Sequence, residues 1–204
     1  MISRRCFCGL VAGVSLLAAP INAQATASPQ ATLRSTIDRV LAVLRDPASS
    51  GPARLQDRRA QVREILLPQF DFPEMAALAL GTHWQQRTAA EQQEFIRLFT
   101  DLLEKSYSSL LEHHASAVQV VFDQERLNGS VAEVDTRVLS SSQSHPLAIT
   151  YRLRIVEGKW LVYDVVIDQV GLVRNYRNQF SRRLRTASYA ALVQTLESML
   201  RDLG

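Results

Sequence analysis

The stretch YRLRIVEGKWLVYDVVID, residues 151–168, decides the fold because apolar residues alternate with polar ones on either side of a turn signal. Alternation with a period of two is typical of strands, and Glu157-Gly158 predicts the tight turn that joins them. The second strand, Trp160 to Asp168, is apolar on both faces, with Val162 and Val166 assigned to the same face. A strand in contact with water on one face alternates more cleanly. We therefore predict that this strand lies inside an antiparallel sheet covered at least partly on both sides.

Two further strands precede this hairpin along the chain. One begins near Val118, and the other places Ala132 to Val138 in alternation. Asn128-Gly129 between them is a strong signal for a two-residue hairpin loop. The sequence thus predicts four antiparallel strands.

Helical spacing dominates on both sides of the strands. Before them, apolar residues recur three and four apart over 33–44, 53–67, 71–81 and 88–113, and after them over 172–184 and 188–200. The pairs Asp71/Glu74 and Thr88/Glu91 form the capping-box pattern that opens a helix. We predict an α+β domain with N-terminal helices, a four-stranded antiparallel curved sheet and C-terminal helices.

The first 25 residues predict an export signal. Arg4 and Arg5 precede an apolar run of roughly 13 residues, which is too short to span a bilayer comfortably. Ala23-Gln24-Ala25 fits a cleavage site. We predict a cleavable signal over 1–25 and a single domain over 26–204, with a buried helix or an uncleaved anchor as the alternative. The twin-arginine-like start leaves the export route open.

Removal of the signal changes the composition. Cys6 and Cys8 leave with it, so no thiolate remains to ligate a metal. The net charge falls to about +1, because 21 basic residues then face 20 acidic ones. This near balance argues against a general nucleic-acid role.

No catalytic motif stands out in the sequence. There is no phosphate-binding glycine loop and no nucleophile-elbow pattern. His113 and His114 are adjacent, so they cannot chelate one metal as residues four apart on a helix do. Asp164 and Asp168 lie four apart, but a bond from Asp164 to the backbone or to an arginine explains it better than acid catalysis does. We predict no enzyme activity, no metal and no cofactor.

A cluster of arginines follows the last strand. Arg174, Arg177 and Arg182 fit either a solvated helix face or a basic rim that meets anionic headgroups or an acidic partner. RNA binding would require aromatic residues interleaved on the exposed face, whereas Tyr176 and Phe180 fall on the apolar stripe.

Several segments, taken together and in order, resemble one known family over nearly the whole chain after the signal. The segments that carry the resemblance are FDFPEMAALALGTHW (70–84), FIRLFTDLLEKSY (95–107), GKWLVYDVVI (158–167) and NYRNQF (175–180). They are similar to the toluene-tolerance family of periplasmic auxiliary proteins of ABC transporters, which includes the MlaC phospholipid carriers and a hopanoid-associated branch typified by HpnM.

The resemblance implies a fold related to the nuclear-transport-factor-2-like cone and a deep apolar pocket that holds phospholipid acyl chains. It also implies a periplasmic carrier that passes lipid between an outer-membrane lipoprotein complex and an inner-membrane ABC transporter complex. Each buried CH₂ contributes about 0.8 kcal/mol, so two acyl chains can supply substantial affinity. The candidates for the pocket lining are Trp84, Phe99, Leu103, Tyr107, Tyr151, Leu153, Val162, Val166, Leu172 and Tyr176.

Other functions stay open at this stage. A hopanoid-linked cargo would follow from the HpnM branch, and plain core packing explains each lining candidate equally well. A module that only tethers envelope complexes would have a filled core, and an enzyme would have titratable residues that converge inside a cavity. The chain also departs from the family at Asp168–Gly171, since members more often carry Gly at position 169 and Ser at position 171.

Overall fold

The computed structural model describes residues 27–47, 54–114, 118–140 and 144–203, with side chains given outside 108–114. The predicted export signal, residues 1–25, lies outside these ranges. Helices α1 (Pro29–Arg45), α2 (Leu55–Leu66), α3 (Phe72–Leu80) and α4 (Ala89–His114) precede the sheet, and α5 (Leu172–Leu184) and α6 (Tyr189–Asp202) follow it. The predicted α+β class is confirmed.

The sheet is antiparallel and its strands are neighbours in chain order. It consists of β1 (Val118–Asn128), β2 (Val131–Ser140), β3 (Leu147–Val156), β4 (Lys159–Ile167) and β5 (Val170–Gly171). The two-residue β5, which the sequence analysis did not predict, pairs with the end of β4. Asp168 and Gln169 connect the two strands with φ angles of 43° and 67°. Both residues occupy the left-handed region that glycine adopts more easily.

The first hairpin forms where it was predicted, but its loop is shifted by one residue. Asn128 is still paired, with Val131, so the two loop residues are Gly129 and Ser130. Gly129 has φ of 60°, as the first loop position of a II′ hairpin turn requires.

A bulge in β4 changes which residues share a face. Arg152 pairs with Asp164, but the next residue, Leu153, pairs with Val162, so Tyr163 is the extra residue. Side chains alternate strictly along an unbroken strand, and an inserted residue reverses their faces from that point on. The predicted placement of Val162 and Val166 on one face is therefore wrong, because the bulge separates them.

The two predicted capping boxes differ in outcome. At Thr88 the box is complete, since the Thr88 N–H donates to the Glu91 carboxylate at 2.7 Å and the Glu91 N–H donates to the Thr88 hydroxyl at 3.3 Å. At Asp71 half of it forms, because the Glu74 N–H donates to Asp71. The Asp71 N–H instead donates to the Val162 carbonyl at 2.8 Å, which ties the start of α3 to the edge of β4.

The buried apolar residues of the described ranges form three separate clusters. The helical cluster joins α3, α4, α5 and α6 and includes Met75, Phe95, Phe99, Leu102, Tyr176, Phe180 and Leu196. The sheet cluster consists of Leu33, Ala132, Val134, Leu153, Trp160 and Val162. The α1–α2 cluster consists of Val40, Leu44, Val62 and Ile65. Phe70 packs against both the helical and the sheet cluster.

Candidate functional site

The inner face of the sheet is the one that α1 covers. By strand register it carries Val134, Thr136, Ile149, Tyr151, Leu153, Val162, Val165 and Ile167. Its burial is uneven along the strands. Val134, Leu153 and Val162 are buried against Leu33, whereas Ile149, Val165 and Ile167 are half-buried. The half-buried end thus presents apolar surface that the rest of the described chain does not fully cover.

Two neighbouring hydroxyl groups lie on this inner face. The Thr136 hydroxyl donates to the Ile149 carbonyl at 3.1 Å, and the Tyr151 hydroxyl lies near that of Thr136. Burial raises the pKa of Tyr151 to about 12, so the phenol stays neutral at physiological pH. Tyr151 therefore adds no charge among the apolar side chains of this face.

A second hydroxyl pair lies where α4 meets α5. The Tyr176 hydroxyl lies near Ser106, and Tyr107 lies beside Tyr176. Burial raises the pKa of both phenols. Among the described side chains, none of the groups that shift the pKa values of Tyr151, Tyr107 and Tyr176 is an acid or a base.

The helical cluster, in contrast, is filled by aromatic rings. Phe99 has no exposed surface and lies edge-on to Tyr176 and Phe180, with ring centroids 5.1 and 5.9 Å apart. Phe95 packs edge-on to Phe180 at 5.6 Å. Such offset and edge-to-face pairs are the arrangements that aromatic rings prefer.

The structure divides the ten predicted lining residues between these regions. Phe99, Leu103 and Tyr176 are buried in the helical cluster, while Trp84, Tyr107 and Leu172 are half-buried against it. Leu153 and Val162 are buried in the sheet cluster, and Tyr151 packs against that cluster while half-buried. Val166 lies on the other face of β4 and is also half-buried. Val165 and Ile167 share the inner face with Val162, although strict alternation along the sequence predicts them on the opposite face, because the bulge in β4 reverses the alternation.

The outer face of the sheet is a ladder of ion pairs. Arg126 bonds to Asp135 and Glu133, and Arg152 bonds to Glu133 and Asp164. The hydrogen bonds from Arg126 hold the pKa values of Glu133 and Asp135 below their usual range. Every one of these charges has an opposite charge beside it, so this face offers little net attraction to an ionic ligand.

Asp164 ties the sheet to α5. One of its carboxylate oxygens accepts the backbone N–H groups of Val165 and Val173 at 2.9 and 3.0 Å, and the other accepts Arg152 at 3.2 Å. The N-cap residue of α5 is Gly171, which has no side chain to offer. Asp164 therefore supplies the cap that residue 171 lacks, as expected for a buried carboxylate bonded to backbone and arginine. Asp168 is a turn residue that accepts the Ala148 N–H at 3.2 Å.

The predicted rim arginines lie on the solvent side of α5. Arg174, Arg177 and Arg182 are exposed, and the opposite side of the helix buries Val173, Tyr176 and Phe180. The Arg177 guanidinium passes over Gly81, where a Cβ atom would come within 2.8 Å of its Nε.

Two surface cavities lie away from the predicted lining. One, of about 540 Å³, runs along the exposed side of α1 and includes Arg34 and Asp38. The other, of about 250 Å³, lies between the start of α4 and the start of α6 and includes His83, Arg87 and Tyr189. Neither is lined by a residue predicted to bind lipid.

A metal-binding cluster and a membrane-crossing helix are both absent from the described ranges. In residues 27–47, 54–114, 118–140 and 144–203, no three histidine, cysteine, aspartate or glutamate side chains are grouped so that they could hold a metal ion. No helix in that part of the chain combines the length and apolar character that a membrane-crossing segment needs.

Comparison with known proteins decides the family. The model of the family described as MlaC protein matches residues 34–198, which is most of the chain. The chain belongs to the MlaC family. A curated MlaC relative, the binding protein of the intermembrane phospholipid transport system of Haemophilus influenzae, is 21% identical over 157 residues, which cover 76% of this chain and 73% of the relative.

A solved structure agrees with the MlaC assignment. It is a phospholipid-binding protein from Ralstonia solanacearum in complex with a phospholipid, and it superimposes with a TM-score of 0.75 at 29% identity. The similarity covers 87% of this chain and 99% of that one. The two proteins therefore share their architecture over the part of this chain that superimposes.

Proposed function

We propose that this MlaC-family protein is a periplasmic carrier that binds a phospholipid by its acyl chains. The observation that carries the proposal is the likeness, at 29% identity and over almost the full length, to a protein solved with a phospholipid bound. The named Haemophilus influenzae relative, a phospholipid transport binding protein, supports the same function.

The half-buried end of the inner face supports acyl-chain binding. An apolar side chain gains free energy when it leaves water, by about 25 cal/mol for each Å² buried. Val165, Ile167 and Ile149 keep part of that surface uncovered, and Tyr151 beside them carries no charge. We propose that the lining includes Tyr151, Val165 and Ile167 together with Trp84, Tyr107 and Leu172, and that Val166 on the outer face does not contribute.

The remaining parts of the proposal concern location and partners. Residues 1–25 act as a cleavable signal that exports a single domain, residues 26–204, to the periplasm. There the protein exchanges lipid with an inner-membrane ABC transporter complex and an outer-membrane lipoprotein complex, and it catalyses no reaction. The names of its relatives support this, since they denote phospholipid binding and transport.

The test is mass spectrometry of protein purified from cells that express the full chain, first under native conditions and then after denaturation and solvent extraction. We expect about one lipid molecule per chain, released on denaturation. A released molecule with the mass of a phospholipid would identify the cargo as a phospholipid. A released molecule with the mass of a hopanoid would identify a hopanoid cargo instead. Protein that stays lipid-free after incubation with phospholipid vesicles would overturn the carrier function and leave the tethering module.

A matched pair of variants locates the site. Val165 and Val166 are adjacent and both half-buried, yet they lie on opposite faces of β4. Threonine has the shape of valine but adds a hydroxyl that costs about 1–3 kcal/mol when buried without a partner. We expect Val165→Thr to lower lipid retention about tenfold and Val166→Thr to leave it unchanged. Equal lipid retention by both variants would show that the inner face of the sheet is not part of the lipid-binding site.

A further inference from the structure

A second surface of the molecule lies outside the inner face. Arg174, Arg177, Arg182 and Arg185 are exposed on α5 or directly after it, and their spacing places them on one side of that helix. We call these four residues the α5 arginine stripe. The opposite side of α5 is anchored in the helical cluster, so the stripe is held on a fixed support.

The arginines of the stripe have no partners among the described residues. None of the four takes part in an ion pair or a side-chain hydrogen bond there, although Arg177 passes over Gly81. The outer face of the sheet is different, because Arg126, Arg137 and Arg152 each bond to at least one carboxylate. Guanidinium groups without a partner attract an external anion more strongly than paired ones do.

An exposed apolar residue lies next to the stripe. Val170, in the short β5 that leads into α5, is 60% exposed. It follows the turn at Asp168 and Gln169 and precedes Arg174 by four residues. Asp168 is the acidic residue of this turn, and one of its carboxylate oxygens accepts a hydrogen bond from the Ala148 N–H. An exposed apolar side chain beside several cationic side chains is typical of surfaces that bind the interface of a bilayer.

We propose that the α5 arginine stripe and Val170 dock the protein onto an anionic lipid bilayer, with the guanidinium groups against lipid phosphates and Val170 at the headgroup boundary. This inference rests on the proposed carrier function for its purpose, since a carrier exchanges cargo at membranes. Leu172, one of the proposed lining residues, packs against the helical cluster from the same helix. Docking through α5 therefore brings that lining residue close to the bilayer.

A bilayer fits the surface better than an acidic protein or a nucleic acid does. The stripe is spread along an exposed helix, and a lipid surface presents phosphates at any spacing, so no precise partner geometry is needed. Val170 would gain nothing from a purely ionic partner. Single-stranded nucleic acid would stack on exposed aromatic rings, but Tyr176 and Phe180 are buried.

The experiment is co-sedimentation of the purified protein with phosphatidylcholine vesicles that contain about one third phosphatidylglycerol, and with pure phosphatidylcholine vesicles. We expect binding to the anionic vesicles that weakens as salt increases. The triple variant R174Q/R177Q/R182Q is expected to bind about a hundredfold more weakly, because each arginine near an anionic surface contributes about fivefold.

The matched control removes three positive charges from parts of the surface outside the α5 arginine stripe. Arg39, Arg54 and Arg201 are exposed and have no ion pair in the described ranges. R39Q/R54Q/R201Q is expected to keep most of the binding. If both triple variants lose binding equally, the attraction is due to net charge, and the localised surface is overturned.

A third variant separates a bilayer from an acidic protein. Val170→Trp adds an aromatic side chain suited to the bilayer interface, so it should increase vesicle binding severalfold. Unchanged binding, or no binding of the wild type to anionic vesicles, overturns the proposal and leaves an acidic protein surface as the partner. Lipid content, measured by mass spectrometry on the same samples, keeps the two proposals apart. Wild-type protein that carries lipid but does not bind anionic vesicles would contradict only the docking proposal, and wild-type protein that binds the vesicles but carries no lipid would contradict only the carrier function.

Discussion

The helical cluster and the inner face of the sheet are both apolar, but they are built differently. Around Phe99 the rings of two helices, α4 and α5, interlock, and Phe99 itself has no exposed surface. At the end of the inner face near Ile167, side chains of the same chemical class stay half-buried, and two hydroxyl groups are held among them. An interior packed by its own side chains serves stability, whereas an incompletely covered one can accept a ligand.

The largest expected effect lies in the helical cluster. Phe99→Ala should lower the free energy of unfolding by about 3–5 kcal/mol, because it removes a fully buried ring and leaves a cavity. Val165→Ala on the inner face should cost less than about 1.5 kcal/mol. Urea denaturation of both variants, freed of lipid, measures the difference. Equal losses would mean that the inner face is as filled as the helical cluster, and the contrast would disappear.

The two hydroxyl groups on the inner face give the next effect. Thr136→Val should cost about 1–3 kcal/mol, because it removes the buried hydroxyl that donates to the Ile149 carbonyl. Tyr151→Phe removes a hydroxyl of a half-buried side chain and should cost only about 0.5–1.5 kcal/mol. Thermal or urea unfolding of the two variants checks the order. A larger loss for Tyr151→Phe would show that the Tyr151 hydroxyl contributes more to stability than the bond from Thr136 to Ile149 does.

Acid should weaken the sheet more than the helical cluster. Arg126 lowers the pKa values of Glu133 and Asp135 in the folded protein, so these groups stabilise it above about pH 4, and this stability is lost as the pH falls through the lowered pKa values. Arg126→Gln should therefore destabilise the protein at pH 7, by less than about 1 kcal/mol because the pair is exposed, and hardly at all near pH 2.

Urea denaturation at the two pH values measures this difference. The matched control is Arg97→Gln on α4, where the pair with Asp101 is longer, at 3.5 Å, and exposed. We expect it to change stability little at either pH. A pH-independent loss in Arg126→Gln would show that its contribution is not ionic.

The smallest effect is expected at the turn between β4 and β5. Gln169 has a φ of 67°, a conformation that costs residues other than glycine roughly 1–2 kcal/mol. Gln169→Gly should relieve this strain and, after the added freedom of the unfolded chain is subtracted, raise stability by about 0.5 kcal/mol. The melting temperature measures it, with Gln169→Ala as the control that keeps the strain. A lower melting temperature for the glycine variant would contradict the strained geometry.

Much of the fold follows from periodicity and capping signals. The four long strands, the six helices and the cap at Thr88 lie where the spacing of apolar and polar residues predicts them. The bulge at Tyr163 was not predicted, because one inserted residue between two apolar runs leaves each run intact and changes only the phase between them. The left-handed turn at Asp168 and Gln169 and the cap that Asp164 provides at the start of α5 were not predicted either, since both depend on how the end of β4 folds back.

The candidate site was predicted less well, for a physical reason. Apolar composition is the same for a residue that fills a core and for one that lines a pocket, so Phe99 and Tyr151 looked equivalent in the sequence. Phe99 and Tyr151 differ in how deeply they are buried, and burial depends on which other helices and strands pack over each residue. The face of Val165 and Ile167 depends on the bulge in β4, which is a property of strand pairing.

The bond from Asp164 to the Val173 N–H has a consequence for the order in which the chain becomes structured. The first turn of α5 is capped by Asp164 only after β4 has formed and β5 has paired with it. Helix and hairpin should therefore form together during folding and fray together in the native state. Amide hydrogen exchange at the start of α5 would then follow that of the end of β4, and one local opening would expose Leu172 and the end of the sheet at the same moment.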